Sequence, residues 1–170
     1  MEFRNSCLQD VPQLEQIVRD AVEQLRAAGV PQWQKGYPNR EIILQDIEQG
    51  VGYVMAEGGL VLGMLTILTS PEPSYAEIDG AWPDDAPYAS LHRVCVAKGH
   101  KGRGIAGAMF AAAEPICRRL GFSSIRIDTE PHNLPMQQAV MKAGYRPCGM
   151  LKIVRSVEAG DPRIGYQKNL

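Results

Sequence analysis

Six residues, Lys101-Gly102-Arg103-Gly104-Ile105-Ala106, follow the apolar run Leu91 to Val96 and precede a long helical pattern. Two glycines flanking one residue let successive backbone N–H groups turn inward without a Cβ clash, and the helix that opens there adds the positive end of its dipole. A turn of this kind binds a phosphate or diphosphate, and Lys98, His100, Lys101 and Arg103 gather cations around it. Gly102 to Gly107 also satisfies the G-x-G-x-x-G pattern of dinucleotide-binding folds, with Asp128 downstream. Against that, five residues, Ala97 to Lys101, separate the strand-like run from the first glycine, and too little chain follows Asp128 for a doubly wound sheet. Gly99 and Gly104 have the spacing of a nucleoside-triphosphate loop, but Ile105 and Ala106 stand where Lys and Ser or Thr must reach phosphates and metal.

His92 lies two residues before Val94 and four before Val96. Its ordinary pKa near 6.5 suits it to accept a proton at neutral pH, although an imidazole in a strand serves equally as a structural hydrogen-bonding group. Glu77 and Asp79 are rival bases, on one face if their segment is extended and able to act through water; otherwise they attract substrate or keep the surface polar. Cys7, Cys95, Cys117 and Cys148 are scattered, with no CxxC pair and no histidine at ligand spacing, so packing is expected and neither a metal site nor a disulfide framework.

The glycine loop matches the signature Gln or Arg, two residues, Gly, one residue, Gly or Ala, with Lys101 in its first position. On that motif and on its order of elements the chain resembles the GCN5-related N-acetyltransferases from about Arg4 to Tyr145. The resemblance implies acetyl-coenzyme A as cofactor and transfer of its acetyl group to a primary amine of a small molecule, by direct attack in a ternary complex. The alternative, from another class, is an acyl-coenzyme A-binding or sensing module without turnover. By the same resemblance Lys101, Gly102, Arg103, Gly104, Ile105 and Ala106 wrap the diphosphate. The pantetheine arm enters beside Val94, Cys95 and Val96 where two parallel strands splay at a bulge, and Asn133 touches the cofactor. His92 occupies a position where several members place a catalytic residue. Trp33, Gln34 and Tyr37 roof the acceptor pocket, Trp33 either shaping that pocket or anchoring the loop. Val140 takes the place of the tyrosine that protonates the leaving thiolate, which leaves His132, Tyr145, solvent or the departing ammonium for that proton.

A chain of 170 residues, 45% apolar and 22% charged, has the size of one globular domain spanning 1–170. Its amino terminus lacks a signal-peptide pattern and no apolar run reaches membrane-spanning length, so a soluble, cytoplasmic protein is expected. Net charge is −1, but residues 41–92 hold nine acidic residues and no Lys or Arg, whereas residues 93–170 hold thirteen basic and five acidic ones. A basic carboxy half suits a polyanionic cofactor and an acidic middle suits a cationic amine, unless both are solvated faces. Singly spaced basic residues without interleaved aromatics argue against a nucleic-acid partner. The sequence is compatible with a homodimer and does not require one.

These residues need a scaffold, and the pattern supplies a mixed α/β one. A strand over Met1 to Arg4 leads to Asp10 and Gln13, read as a capping box, and to a helix whose stripe is Leu14, Ile17, Val18, Ala21 and Leu25, stopped by Gly29. A second helix spans Arg40 to Gln49 behind Asn39 as cap. Gly52 to Glu57 and Leu60 to Thr69 read as a hairpin turning at Gly58-Gly59, and Tyr75 to Asp79 as a short extension of the sheet. Strands are expected at Tyr88 to Val96, Ser124 to Thr129, Tyr145 to Arg155 and Ile164 to Lys168, and helices at Ile105 to Leu120 and Met136 to Ala143. The sum is one twisted sheet of about six to seven strands with flanking helices, antiparallel at first and parallel across the helical crossover.

Overall fold

Twelve strands and α-helices follow one another in the computed structural model, which describes residues 1–170. They are β1 (Glu2–Asn5), α1 (Val11–Ala27), α2 (Arg40–Glu48), β2 (Gly52–Glu57), β3 (Leu60–Leu68), β4 (Asp79–Gly80), β5 (Tyr88–Val96), α3 (Ile105–Arg119), β6 (Ser124–Thr129), α4 (Leu134–Lys142), β7 (Arg146–Lys152) and β8 (Pro162–Asn169). The strands make one sheet in the order β1-β2-β3-β5-β6-β8-β7-β4, parallel only between β5 and β6. Eight strands stand where six to seven were expected. The additional one, β4, pairs with β7 at the sheet edge and is two residues long, overlapping the extension expected over Tyr75 to Asp79 only at Asp79.

Period-two alternation divides the apolar residues between the two faces of this sheet. Met55, Leu62, Leu65 and Val94 join a core under α3 with Met109, Phe110 and Ala113. Their neighbours Val54, Val61, Met64 and Cys95 join a second core under α1 and α2, with Leu14, Ile17, Val18 and Ile43. The stripe read along α1 is the face it buries. The capping reading there is displaced by one turn. Asp10 accepts from the Cys7 amide at 2.9 Å across a short 3-10 turn and binds Arg4 bidentately at 2.7 and 2.9 Å, while Gln13 bridges the turn of the β2–β3 hairpin through Gly59 and Val61. Asn39 does cap α2, its Oδ1 accepting from the Ile42 amide at 3.1 Å.

One irregularity shapes everything that follows. Along β3 and β5 the register passes from Met64 opposite Cys95 to Thr66 opposite His92, so Arg93 and Val94 together face the single residue Leu65. This is a β-bulge, and Arg93 has φ 53°, a left-handed conformation uncommon for a residue with a Cβ. The parallel pairing of β5 with β6 stops at Leu91 opposite Ile127, immediately before the bulge. Beyond it the two strands separate and leave a gap. The Ala97 amide bonds the Leu62 carbonyl at 2.9 Å, and alternate residues of an antiparallel strand bond the same neighbour. Cys95 and Ala97 therefore bond β3, and the amide of Val96 faces the side that β6 has left.

Candidate active site

The gap opens into a cleft of about 900 Å³ that runs from the glycine loop, past the separated ends of β5 and β6, to the loop between α1 and α2. Gly102 and Gly104 both have φ 76°, which turns the chain sharply into α3. No backbone hydrogen bond is donated by the amides of Gly102, Arg103 or Gly104, and Ile105, Ala106 and Gly107 open a helix whose first N–H groups have no partner one turn back. A Cβ at either glycine would meet no atom of the fold within 4 Å. The turn is thus shaped by its backbone alone and presents a row of unused donors to the cleft. That row fits a diphosphate.

The structure brings most of the residues expected at this end together around the cleft. Val94, Cys95, Val96, Lys101, Gly102, Gly104, Ile105, Ala106 and Asn133 line the cleft. Arg103 does not; its guanidinium turns aside to the His100 ring at 2.7 Å. Lys101 donates to Gln24 of α1 across the mouth. Asn133 caps α4 through the Met136 amide at 3.4 Å and donates to Gln32 at 2.9 Å, tying α4 to the α1–α2 loop. Burial pushes the Cys95 thiol up to about 12, consistent with packing rather than with nucleophilic chemistry. Val140 is fully buried in the core beneath α4, whose cleft-lining residues are Pro135, Met136, Ala139 and Lys142.

At the other end, Arg93 is the keystone of the bulge. Its guanidinium binds Asp46 of α2 through two bonds of 2.7 Å and donates to the Tyr37 hydroxyl at 2.7 Å, and the Thr66 hydroxyl donates to the same Asp46 at 2.7 Å. The ion pair is buried, the Arg93 and Asp46 side chains being 9% and 8% exposed. Desolvation alone would lower the Arg93 pKa, but Tyr37 and Asp46 outweigh it and hold the guanidinium charged. Burial raises the Tyr37 hydroxyl, so it stays protonated at neutral pH.

His92 precedes this arginine. Its Nε2 lies 3.2 Å from the buried Ser90 hydroxyl and 3.7 Å from Glu72 Oε2, and the ring stacks on Tyr75 with centroids 6.3 Å apart and planes at 14°. Burial is the main influence on the imidazole and lowers its pKa; Asp128 and Glu72 pull upward and Arg93 pushes down. The ring is therefore neutral at pH 7 and able to take a proton. The Tyr75 hydroxyl donates to Asp128 at 2.7 Å, and both burial and that carboxylate raise it well above its ordinary pKa.

Three segments wall this end. The Trp33 amide donates to Glu158 at 2.7 Å, Arg163 bonds the other oxygen of Glu158 at 2.9 Å, and the Val154 amide donates to the Ser74 hydroxyl at 3.2 Å. Trp33, with φ 64°, and Tyr37 line the cleft. Gln34 does not. Its side chain folds back to the Val22 and Gln32 carbonyls at 3.0 and 3.1 Å.

Glu77 and Asp79 also lie outside the cleft, both exposed: of the extension expected over Tyr75 to Asp79 only Asp79 is in a strand, β4 at the sheet edge, while Tyr75 ends a 3-10 turn and Glu77 sits in a bend. The carboxylates that do line it are Glu72, Asp128 and Glu158. Sequence reasoning passed over Glu72, although Pro71 and Pro73 on either side of it mark a turn stiff enough to hold a side chain in place. Asp46, Asp128, Glu158 and Arg163 become visible only when distant segments meet.

The bulge between β3 and β5, the gap where β5 leaves β6 and the diphosphate-sized glycine turn make one continuous site for an elongated, phosphate-bearing ligand. The family model described as the acetyltransferase (GNAT) family matches residues 14–145, and the chain belongs to that family. It is an acetyltransferase whose donor is acetyl-coenzyme A. No curated protein matches the chain. Among solved structures it is similar to a GNAT-family acetyltransferase from Streptococcus agalactiae, with 28% identity, TM-score 0.87 and coverage of 99% of this chain and 95% of that one. It shares its fold with a GNAT-family acetyltransferase from Listeria monocytogenes, with 22% identity, TM-score 0.73 and coverage of 99% and 94%. The fold is also that of a phosphinothricin acetyltransferase from Sinorhizobium meliloti in complex with acetyl-coenzyme A, with 16% identity, TM-score 0.70 and coverage of 99% and 88%.

Proposed function

We propose that this chain is an N-acetyltransferase acting on a primary amine of a small molecule, with the amine attacking in a ternary complex and His92 receiving its proton. The observation that carries this reading is the placement of a half-buried, neutral imidazole in the same cleft as the glycine turn, next to the point where β5 leaves β6. Bound acetyl-coenzyme A supplies an activated thioester acyl group and a good leaving thiolate.

The chain's own residues supply the rest. Backbone amides from Gly102 to Ala106 hold the diphosphate, a reading supported by their unused donors and the left-handed glycines that aim them. Lys101 and Lys142 stand by as cations at the same end. The Val96 amide, without a strand partner on that side, is a donor for charge that develops on a carbonyl oxygen. Trp33, Tyr37 and the joined walls around Glu158 and Ser74 enclose the acceptor end, which suits a small molecule better than a protein terminus.

The test is thiol release from acetyl-coenzyme A with a pooled set of small amines, for the native chain and for His92→Gln. Amine-dependent release that falls about a hundredfold or more in the variant, with acetyl-coenzyme A affinity kept, is expected. Tight donor binding with no amine-dependent release by the native chain would instead favour a binding module, the reading that Val140 supports.

A further inference from the structure

Glu72 stands apart from the other carboxylates of the cleft. Asp128 is engaged by Tyr75 and Arg163, and Glu158 by Trp33 and Arg163. Glu72 has one oxygen, Oε1, accepting from the Ser74 amide at 3.1 Å, and its own amide donates to the Tyr88 hydroxyl at 3.0 Å, so both backbone and side chain are held. The second oxygen, Oε2, has no hydrogen bond and faces His92 Nε2 at 3.7 Å, with both side chains less than a fifth exposed.

We propose that Glu72 is the positioning residue of the proton acceptor: it fixes the His92 tautomer with hydrogen on Nε2 and leaves Nδ1 as the basic nitrogen. The inference rests on His92 being the base. A lone pair on Nε2 would lie against a carboxylate across 3.7 Å of poorly solvated space, whereas an N–H there is attracted to it. The Ser90 hydroxyl, 3.2 Å away and with no other side-chain partner, then accepts from the same nitrogen. Nδ1 has no partner within the protein, and the stacked Tyr75 ring keeps the imidazole plane from turning.

When the amine nitrogen bonds the acyl carbon, the carbon–sulfur bond breaks with its pair leaving on sulfur as thiolate, an amine N–H bond breaks with its pair staying on nitrogen, and that proton moves to Nδ1. The imidazolium so formed carries its charge beside Glu72. The groups facing it are Glu72 and Tyr75 on the 3-10 segment, Asp128 on β6, Arg93 on β5 and Asp46 on α2, of which Glu72 is the anion beside Nε2.

The test compares the native enzyme with Glu72→Gln, which keeps an oxygen for the Ser74 amide, and Glu72→Asp, which keeps the charge. Nitrogen-15 NMR of the His92 ring reports the tautomer without need of turnover. The native ring is expected with hydrogen on Nε2, and Glu72→Gln is expected to populate the other tautomer. In kinetics, kcat of Glu72→Gln should fall roughly ten- to hundredfold, part of what a positioned base contributes, with KM for acetyl-coenzyme A unchanged. The acid limb of its kcat/KM profile should move to lower pH, because the anion that raised the imidazole is gone, and Glu72→Asp should restore that limb in part. Hydrogen on Nδ1 in the native ring, or a tautomer and acid limb untouched by Glu72→Gln, would overturn the proposal. Full turnover in His92→Gln with the expected tautomer in the native ring would instead remove His92 as the base.

Discussion

Replacing Asp46 with alanine should destabilise this protein more than any other single change on α2. The substitution removes the only counter-ion of Arg93, two bonds of 2.7 Å, and the acceptor of the buried Thr66 hydroxyl, while the guanidinium stays in place with only Tyr37 and Thr66 for company. Breaking a buried ion pair from one side costs about 3–5 kcal/mol, because an uncompensated charge is left behind, whereas an exposed pair costs about 0–1. For a chain of this length each kcal/mol lowers Tm by roughly 2–4 °C, so a fall of roughly 6–20 °C is expected by calorimetry, with a matching shift of the urea midpoint. The left-handed Arg93 should relax once it is released, closing the gap between β5 and β6 and weakening acetyl-coenzyme A binding in the molecules that remain folded. A double variant, Asp46→Leu with Arg93→Met, should recover much of the lost stability without recovering binding. A loss below about 1 kcal/mol, or normal binding by the double variant, would refute the claim that this pair holds the bulge.

Three further outcomes follow from the same geometry. Gly104→Val should lose acetyl-coenzyme A affinity by calorimetric titration while costing only about 1–2 kcal/mol of stability, since the φ of 76° is strained for valine but the space around it is open; retained affinity would refute the cradle. Because burial lowers the His92 pKa, the unfolded chain takes up this proton first, so its contribution is constant above about pH 6.5 and stability falls as pH drops below that value toward the folded pKa; urea midpoints between pH 7.5 and 5.5 should show a slope that His92→Gln reduces. Cys95, with its thiol pushed up to about 12, should resist iodoacetamide at pH 8 in the folded protein, read by peptide mass spectrometry, and early labelling would show the cleft to be more open than its lining suggests.

The fold was legible where periodicity is strong. The α1 stripe, the Gly58-Gly59 hairpin and the crossover between β5 and β6 need only local pattern and chirality, and all are present. The glycine turn was legible for a different reason: its function lies in the backbone, and glycine spacing reports backbone conformation directly. The acceptor end was not. Glu77 and Asp79 looked alternating only on the premise of a continuous extended segment, and the bend at Glu77 between the 3-10 turn and the two-residue β4 removes that premise. The cleft's own carboxylates come from three separate regions, around residues 72, 128 and 158, and no spacing rule links them. Gln34 was read as a pocket residue from its neighbours, yet its side-chain amide folds back on the Val22 and Gln32 carbonyls, which only the path of the loop after α1 brings within reach.

The account stands or falls on where the donor sits, and a crystal structure with coenzyme A bound shows that directly. The account predicts its diphosphate on the amides of residues 102–106 and its sulfur in the gap beside Val96, with His92 open to the space beyond. A diphosphate bound elsewhere on the chain, or a gap between β5 and β6 that stays closed to the pantetheine arm, would contradict it.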